Sequence, residues 1–217
     1  MADSSKTEKT PRWSRRKGAR PGEILAAALD LFVEHGYATT RLEDVAERAG
    51  VSKGTLYLYF PGKEELFKAV VRENLVSVLD FAEEMVAHND MSSVELFRTI
   101  IMGWWQRIGN TKLAGISRLM MLEAANFPDL ARFYHDEYIF RGRAMIRNVL
   151  EIGIERGDFR AVDTEQLTQI IVAPIVMLMM WRHSASAYHA APVSPEPYMD
   201  SFIDLCLHGL LNEKATG

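Results

Sequence analysis

A short stretch near residue 50 concentrates side chains that could bind a phosphate backbone and the edges of bases. The stretch opens a predicted helix and comprises Ser52, Lys53, Gly54, Thr55 and Tyr57. Backbone N–H groups and the helix dipole favour phosphate at such a position, and hydroxyl and ammonium groups add further donors. Lys53 can reach a guanine edge or a phosphate, whereas Thr55 and Tyr57 can face bases. Tyr59 and Lys63 follow shortly after, where they would hold the nucleic-acid backbone.

Two short helices joined by a tight turn would position these side chains. Thr40 and Glu43 have the spacing of a capping box, which opens a helix that Gly50 ends. Gly50 permits a left-handed backbone, and Ser52 can cap the next helix almost at once. The pattern predicts a helix-turn-helix, whose second helix enters the major groove by its N-terminal end. An ordinary surface turn is the competing interpretation, and Tyr57 has an alternative of its own as a core tyrosine with an exposed hydroxyl.

Composition places the chain among ordinary globular proteins and excludes disordered and fibrous ones. The chain has 217 residues, of which 48% are hydrophobic and 25% charged, and its net charge is −4. Residues 1–20 carry seven basic side chains against two acidic ones, so an arm of +5 precedes a body of −9. A basic arm on an acidic body indicates a polyanionic partner at one end, although an unstructured, solvated tail explains it about as well.

Neither a membrane span nor a secretory leader is expected. The apolar run 170–181 is shorter than the roughly 20 residues that a spanning helix needs, and it contains Pro174. The first residues lack the apolar stretch of a secretory signal, and the single cysteine, Cys206, cannot form an internal disulfide bond. We therefore expect a cytoplasmic protein.

Patterns of catalytic and metal-binding residues are missing from the sequence. No phosphate-binding loop, zinc-protease motif or nucleophile elbow occurs, and no histidine has a glutamate three residues before it. His135, Asp136 and Glu137 form the densest polar trio, but consecutive helical side chains point about 100° apart and would not converge on one ion. We expect a solvated face there, an apolar environment for Cys206, no catalytic or metal site and no cofactor.

The chain as a whole predicts helices and almost no strands, because apolar residues recur with helical spacing and alternation does not persist. We predict an all-α fold with a basic arm (1–20), a three-helix helix-turn-helix domain (21–66) and a larger helical domain (67–217). A long linking helix is expected from Lys63 towards His88. Further helices are expected over 93–108, 112–126, 129–156, 164–183 and 195–212, with a loop over 184–195.

A set of residues across the first third of the chain matches a known family pattern. The matching segments are ILAAA at 24–28, LF at 31–32, GY at 36–37, TT at 39–40, VA at 45–46, AGVSKGTLY at 49–57, YF at 59–60 and KEEL at 63–66. In these segments the chain resembles the DNA-binding domain of the tetracycline-repressor (TetR) family of bacterial transcription regulators. One departure is Gly62, where a capping Ser, Asn or Asp is common, so a looser start of the linking helix is expected.

The resemblance implies a function and a set of contacts. TetR-family proteins are homodimers that bind a palindromic operator in double-stranded DNA, usually as repressors, and leave it when a small molecule occupies the C-terminal domain. The DNA contacts that the resemblance implies here are Thr40, Ser52, Lys53, Gly54, Thr55, Tyr57, Tyr59 and Lys63.

The larger domain has side chains suited to an adaptable apolar pocket. Apart from Met1, every methionine comes after residue 84, as do three of the four tryptophans. Such side chains fill irregular spaces and suit apolar pockets, although ordinary core packing explains each of them as well. The family encloses its ligand with the helices concerned, which implies a small apolar or aromatic effector. The expected wall residues are Phe81, Trp104, Met121, Tyr138, Met177 and Trp181.

The last two predicted helices are apolar nearly all round, and such helices must be buried on every side. We expect them to pair with their copies across a two-fold axis as a four-helix interface, with a buried monomer core as the alternative. The expected interface residues are Ile175, Phe202, Leu205 and Cys206. A dimer would also hold two recognition helices about 34 to 36 Å apart, or a multiple of that distance, to match successive major grooves.

The leading hypothesis is a dimeric, ligand-responsive transcriptional repressor. Two alternatives stay open: a DNA-binding regulator without a small-molecule effector, and a helical small-molecule-binding protein or enzyme whose DNA-binding end is vestigial. A steep loss of DNA affinity with rising salt would separate a true DNA binder from a vestigial one.

Overall fold

The computed structural model describes residues 20–184 and 193–212, and within these ranges the chain is helical. The only extended pairing there is a single bridge between Phe159 and Leu211. The helices are α1 (Arg20–His35), α2 (Leu42–Arg48), α3 (Lys53–Tyr59), α4 (Lys63–Val71), α5 (Ser77–Ala87), α6 (Ser93–Trp104), α7 (Ala114–Glu123), α8 (Pro128–Tyr134), α9 (Phe140–Glu155), α10 (Thr164–Ser184) and α11 (Pro195–Leu210). The all-α prediction is confirmed, while the predicted basic arm and most of the predicted loop over 184–195 lie outside the described residues.

Three π-helical segments directly follow α-helices, and two of them continue without a break into the next helix. They are π1 (Arg72–Val76) between α4 and α5, π2 (Trp105–Gly109) after α6, and π3 (His135–Ile139) between α8 and α9. The predicted linking helix is therefore the continuous run α4–π1–α5, whose first residue, Lys63, follows the N-cap residue Gly62, which provides no side-chain cap. The helix predicted over 129–156 is likewise the continuous run α8–π3–α9. Each π segment adds one residue to its turn and so rotates the two flanking helices relative to each other.

The capping box expected at Thr40 and Glu43 is wrong. Helix α2 begins at Leu42 after Arg41, which makes no side-chain capping bond, and the Thr40 hydroxyl bonds to carbonyls of the preceding helix. A capping box does open α6, where Ser92 and Glu95 bond reciprocally. The two sites have the same spacing, so the pattern alone could not show which hydroxyl has nearer acceptors.

An aromatic cluster joins the first three helices to the larger domain. Phe32 of α1 and Phe67 of α4 pack edge to face with ring centroids 5.2 Å apart. Tyr37 packs against Phe67 at 5.4 Å and against Phe127, which precedes α8, at 4.7 Å. Because the rings are shared, a shift of α8 reaches the end of α1 through direct contacts.

The linking helix also contacts the run α8–π3–α9 further along its length. Arg141 of α9 bonds to Asp80 at 2.6 Å and to Glu83 at 2.5 Å, and Arg72 of π1 lies 3.4 Å from Glu137 of π3. The Arg72–Glu137 pair is exposed and contributes little stability by itself, whereas Arg141 is half-buried and binds Glu83 through two nitrogens. Together these pairs tie π1 and α5 to π3 and α9.

Candidate nucleic-acid interface and interior cavity

The turn between α2 and α3 has the geometry of a helix-turn-helix. Gly50 has a φ of +65°, a left-handed conformation that strains any side chain, and the Val51 N–H donates to the Ala46 carbonyl at 3.0 Å. Val45, Ala46 and Leu56 are buried where the two helices cross. The fold therefore sets the direction in which α3 projects.

Ser52 caps α3, as its position in the sequence predicts. Its Oγ accepts the Thr55 N–H at 3.1 Å and lies 2.8 Å from the Thr55 hydroxyl. A Cβ added at Gly54 would meet only this Oγ, at 3.9 Å. The packing of the protein itself thus leaves room for a side chain at position 54, and glycine there keeps the backbone open to a partner.

Lys53 is exposed at the start of α3 and bonds to the carboxylate of Glu43 on α2. The hydrogen bond from Lys53 lowers the pKa of Glu43, and the same bond raises the pKa of Lys53. Its ammonium also lies 5.8 Å from the centroid of the Tyr57 ring. Both charges are present at neutral pH, so a phosphate that approaches Lys53 competes with the Glu43 carboxylate for the ammonium.

Tyr57 and Leu58 complete the outward face of α3. Tyr57 is exposed, which decides against its alternative as a core tyrosine, and Leu58 is 80% exposed. Leu58 lies one helical turn after Gly54 and so shares its face. Sequence analysis missed Leu58, because an apolar residue in a short helix is expected to be buried. Its exposure suits contact with a thymine methyl group. Tyr59, the last residue of α3, is also exposed.

Thr40, for which the resemblance implies a DNA contact, is only 2% exposed. Its hydroxyl donates to the Gly36 carbonyl at 2.7 Å and to the Leu31 carbonyl at 3.2 Å, so it satisfies carbonyls at the end of α1. The next residue, Arg41, is exposed at the start of α2. Sequence analysis missed Arg41, although its charge beside the motif was a signal. Its position suits a phosphate contact.

Lys63 holds the end of α1 from the start of α4. Its Nζ donates to the carbonyls of Tyr37, Ala38 and Thr40 at 2.8, 3.0 and 3.0 Å, and it lies 4.7 Å from the centroid of the Tyr37 ring. Burial lowers the pKa of Lys63 from its ordinary value. The ammonium thus anchors the segment between α1 and α2, and a direct phosphate contact by Lys63 stays a prediction.

A cavity of about 990 Å³ lies inside the larger domain, between α5, α6, α9 and α10. Two hydrogen-bonded pairs lie in its wall: the Trp104 Nε1–H donates to the Tyr138 hydroxyl at 2.7 Å, and the Ser117 and Tyr134 hydroxyls are 2.7 Å apart. Burial raises the pKa of both tyrosines, so both stay neutral. The wall therefore combines a largely apolar surface with a few fixed polar groups, which is typical of small-molecule sites.

Four of the six expected wall residues line this cavity, and two do not. Phe81, Trp104, Met121 and Tyr138 are among its lining residues. The placement of Met177 and Trp181 in the wall is wrong, because both are exposed on the outer face of α10. Helix α10 is apolar on both faces, so its sequence could not show which side chains point inward. Arg98, Arg107 and Arg143 also line the cavity and are exposed to solvent; they were not predicted, because isolated charges on amphipathic helices look the same on any solvated face.

The outer faces of α10 and α11 form an exposed apolar surface. Leu205 is 73% exposed and Ile170 is 63% exposed, and Phe202 and Cys206 are half-buried. These side chains border a groove of about 1060 Å³. Burial raises the pKa of the Cys206 thiol to about 11, which keeps it protonated and unreactive at neutral pH. Ile175 was wrongly expected here, because it is buried and lines the interior cavity.

Segment 164–182 of α10 is long and apolar enough to cross a membrane by length and composition. In this fold, however, Ile171, Ile175, Leu178 and Met179 are buried against the rest of the chain. A core helix passes the same test of length and composition, so the segment is weak evidence for a membrane.

The polar trio in π3 is divided between different partners. The His135 ring Nδ1 lies 2.8 Å from Asp136, and Glu137 pairs with Arg72. Within residues 20–184 and 193–212, no three His, Cys, Asp or Glu side chains are grouped as metal ligands.

Two family models match the chain. The model described as "Bacterial regulatory proteins, tetR family" matches residues 24–70, and the model described as "Tetracyclin repressor-like, C-terminal domain" matches residues 97–204. The first includes α2 and α3, and the second includes most of the helices around the cavity.

Individual relatives agree with these matches. The HTH-type transcriptional regulator RutR of Escherichia coli K12 is 52% identical over 66 residues, which are 30% of this chain and 31% of RutR, so the match spans about a third of that relative. FadR of Bacillus subtilis in complex with stearoyl-CoA has a TM-score of 0.68 and 19% identity, over 87% of this chain and 98% of that chain. A transcriptional regulator of Saccharomonospora viridis in complex with choline has a TM-score of 0.75 and 19% identity, over 89% of this chain and 98% of that chain. The chain belongs to the TetR family of DNA-binding transcriptional regulators.

Proposed function

We propose that the protein is a dimeric repressor that binds a palindromic operator through α3 and leaves it when a small apolar or aromatic molecule fills the interior cavity. The observation that carries the proposal is the linking helix. Its first residue, Lys63, anchors the segment before α2, and Val78, Phe81 and Met85 near its other end line the cavity. One continuous helix therefore contacts both the DNA-binding unit and the ligand site.

DNA contact is proposed for the outward face of α3 and the residues beside it. This set consists of Ser52, Lys53, Gly54, Thr55, Tyr57, Leu58, Tyr59 and Arg41. Seven of these residues are exposed and Thr55 is half-buried, and this exposure supports the assignment together with the open backbone at Gly54 and the N-terminus of α3. Thr40 and Lys63 would act mainly by holding the frame that carries α3.

The dimer is proposed to form through the outer faces of α10 and α11. Ile170, Met177, Trp181 and Leu205 are exposed there in one subunit, and an apolar surface of this kind is unfavourable in water. Pairing two copies across a two-fold axis would cover it and place two α3 helices for successive major grooves. We also propose a cytoplasmic location, because the operator DNA that the dimer would bind lies there.

The proposed coupling between the cavity and the DNA-binding helices passes through π3 and π1. Tyr138 and Ile139 of π3 line the cavity, and Glu137 in the same segment pairs with Arg72 of π1. A ligand that displaces π3 would therefore move π1 and turn α4 relative to α5. Typical couplings of about 1 to 3 kcal/mol correspond to a loss of DNA affinity of about 5- to 150-fold.

The test of DNA contact uses fluorescence anisotropy with duplex DNA from the region upstream of the protein's own gene. We expect Lys53→Ala to weaken binding and to lower the slope of log affinity against log salt by about two, because each subunit of the dimer loses one phosphate contact. Lys112→Ala is the matched control, since Lys112 pairs with Asp30 on another surface. Equal affinities for Lys53→Ala and the wild type would refute the assignment of α3. Retained DNA binding that no ligand changes would favour a regulator without an effector.

A further inference from the structure

The interior cavity has an excess of positive charge. Its charged lining residues are Arg98, Arg107 and Arg143 against a single acid, Asp200. The body of the chain after residue 20 has a net charge of −9, so this excess runs against the local composition. The other lining residues are mostly apolar or aromatic.

Arg98, Arg107 and Arg143 are exposed to solvent, and they differ from five other arginines of the described chain in having no carboxylate partner there. Arg48, Arg72, Arg132, Arg141 and Arg147 each lie within 4 Å of an Asp or Glu oxygen. By contrast, within residues 20–184 and 193–212 no carboxylate oxygen lies that close to Arg98, Arg107 or Arg143. The Arg107 guanidinium instead stacks 4.8 Å from the ring centroid of Phe81, which itself lines the cavity. Its donors therefore remain available beside an apolar wall.

The polar groups deeper in the wall also favour a ligand that carries a hydrogen-bond acceptor. The Tyr138 hydroxyl accepts from Trp104 Nε1, and its own proton has no acceptor among the described residues. A phenol that accepts one bond can still donate one. The cavity thus presents guanidinium and phenol donors and little matching negative charge.

We propose that the effector is an amphipathic anion, with an apolar body inside the cavity and a carboxylate or phosphate group bound by one or more of the exposed guanidinium groups of Arg98, Arg107 and Arg143. The proposal rests on the function proposed above, in which this cavity holds the effector. The two similar structures contain ligands of opposite charge, stearoyl-CoA and choline, so the shared fold does not determine the charge of the ligand. In this chain the arginines of the lining favour a negatively charged ligand. Guanidinium groups bind carboxylate and phosphate by paired, charge-assisted hydrogen bonds and repel a cation.

The test compares probes that share a decyl chain and differ only in the head group: decanoate, decyl phosphate, decan-1-ol and decyltrimethylammonium. Binding to the full-length protein is followed by tryptophan emission, because Trp104 lies in the cavity wall, and by calorimetry. We expect the better anion to bind at least about tenfold more tightly than decan-1-ol, and the ammonium probe to bind most weakly. The ranking of decanoate and decyl phosphate then identifies the preferred oxyanion.

The outcomes separate this inference from the proposed function. Equal or tighter binding of decan-1-ol or the ammonium probe overturns the anion preference and leaves the cavity as a ligand site. No binding by any probe contradicts the effector site itself. In the wild type, added salt should reduce the advantage of the anion over decan-1-ol, and a salt-independent advantage counts against the arginines.

Variants then assign the preference to residues. Arg98→Gln, Arg107→Gln and Arg143→Gln together should weaken decanoate binding and leave decan-1-ol binding unchanged, which also shows that the cavity is intact, and the single variants identify which guanidinium groups bind the anion. Arg132→Gln is the matched control, because Arg132 pairs with Asp129 on an exposed surface away from the cavity. An anion preference that persists in the triple variant overturns the proposal.

Discussion

Replacement of Lys63 separates an anchoring role from a direct DNA contact. In Lys63→Met the apolar stem is kept, but three carbonyls lose their donor and the ring of Tyr37 loses its cation. Hydrogen bonds from a charged group contribute about 1.5 to 3 kcal/mol when buried. The three bonds here share one half-buried ammonium, and water can reach the exposed Ala38 carbonyl, so we expect a total loss of about 2 kcal/mol.

Urea denaturation of Lys63→Met and the wild type measures this loss directly. For a chain of this size, 2 kcal/mol corresponds to a fall in melting temperature of about 4 to 8 °C. Lys112→Met is the control, since its exposed pair with Asp30 should contribute at most about 1 kcal/mol. The anchoring role also predicts that Lys63→Met leaves the salt dependence of DNA binding unchanged. An unchanged stability together with a salt slope lowered by about two, one for each subunit of the dimer, would show a phosphate contact and refute this reasoning.

Three further predictions concern the turn, the packing of the larger domain and the buried phenols. Gly50→Ala should cost about 1 to 2 kcal/mol, because φ at Gly50 is +65°. Gly22 lies in α1 with open space around it, so Gly22→Ala should stabilise the protein by up to about 1 kcal/mol. Urea denaturation compares the two variants, and equal stabilities would contradict the strained turn. Gly153→Ala would bring a Cβ to 2.1 Å from the Phe159 ring, so we expect the free energy of unfolding to fall by about 1 to 3 kcal/mol. Adding Phe159→Leu should restore part of this loss, and additive losses in the double variant would count against direct packing. Burial raises the pKa of Tyr138 above its ordinary value of 10.0, so the unfolded chain loses protons first and stability should fall as pH rises above about 10. Denaturation at stepped pH should show a shallower fall for Tyr138→Phe, and an identical fall would refute the assignment.

The helix-turn-helix was predictable because its signals are local. Gly50 and Ser52 act within one turn of the chain, and their expected conformation and cap both occur. Thr40 and Lys63 were not predictable in detail, because their hydrogen bonds go to carbonyls of residues 31–40, whose positions depend on how α1 packs against α4. A hydroxyl or ammonium group beside a DNA-binding motif looks the same in sequence whether it faces a phosphate or a carbonyl.

The larger domain shows the opposite case. Helix ends could be predicted from prolines, glycines and apolar spacing, but the inward and outward faces of α10 could not, because both are apolar. Met177 and Trp181 therefore lie on the outer surface and not in the expected cavity wall, whereas Ile175 lies in the cavity wall and not at the expected interface. The π segments also shift the helical register by one residue, which no periodicity in the sequence announces.

The most direct test of the central claim is the stoichiometry of the protein on one duplex from the region upstream of its own gene, measured by sedimentation velocity at low salt. The account predicts two protomers on each duplex, and their release when a cavity ligand is added. A single protomer on the duplex, or no complex with it at low salt, would contradict a paired presentation of α3 to successive major grooves.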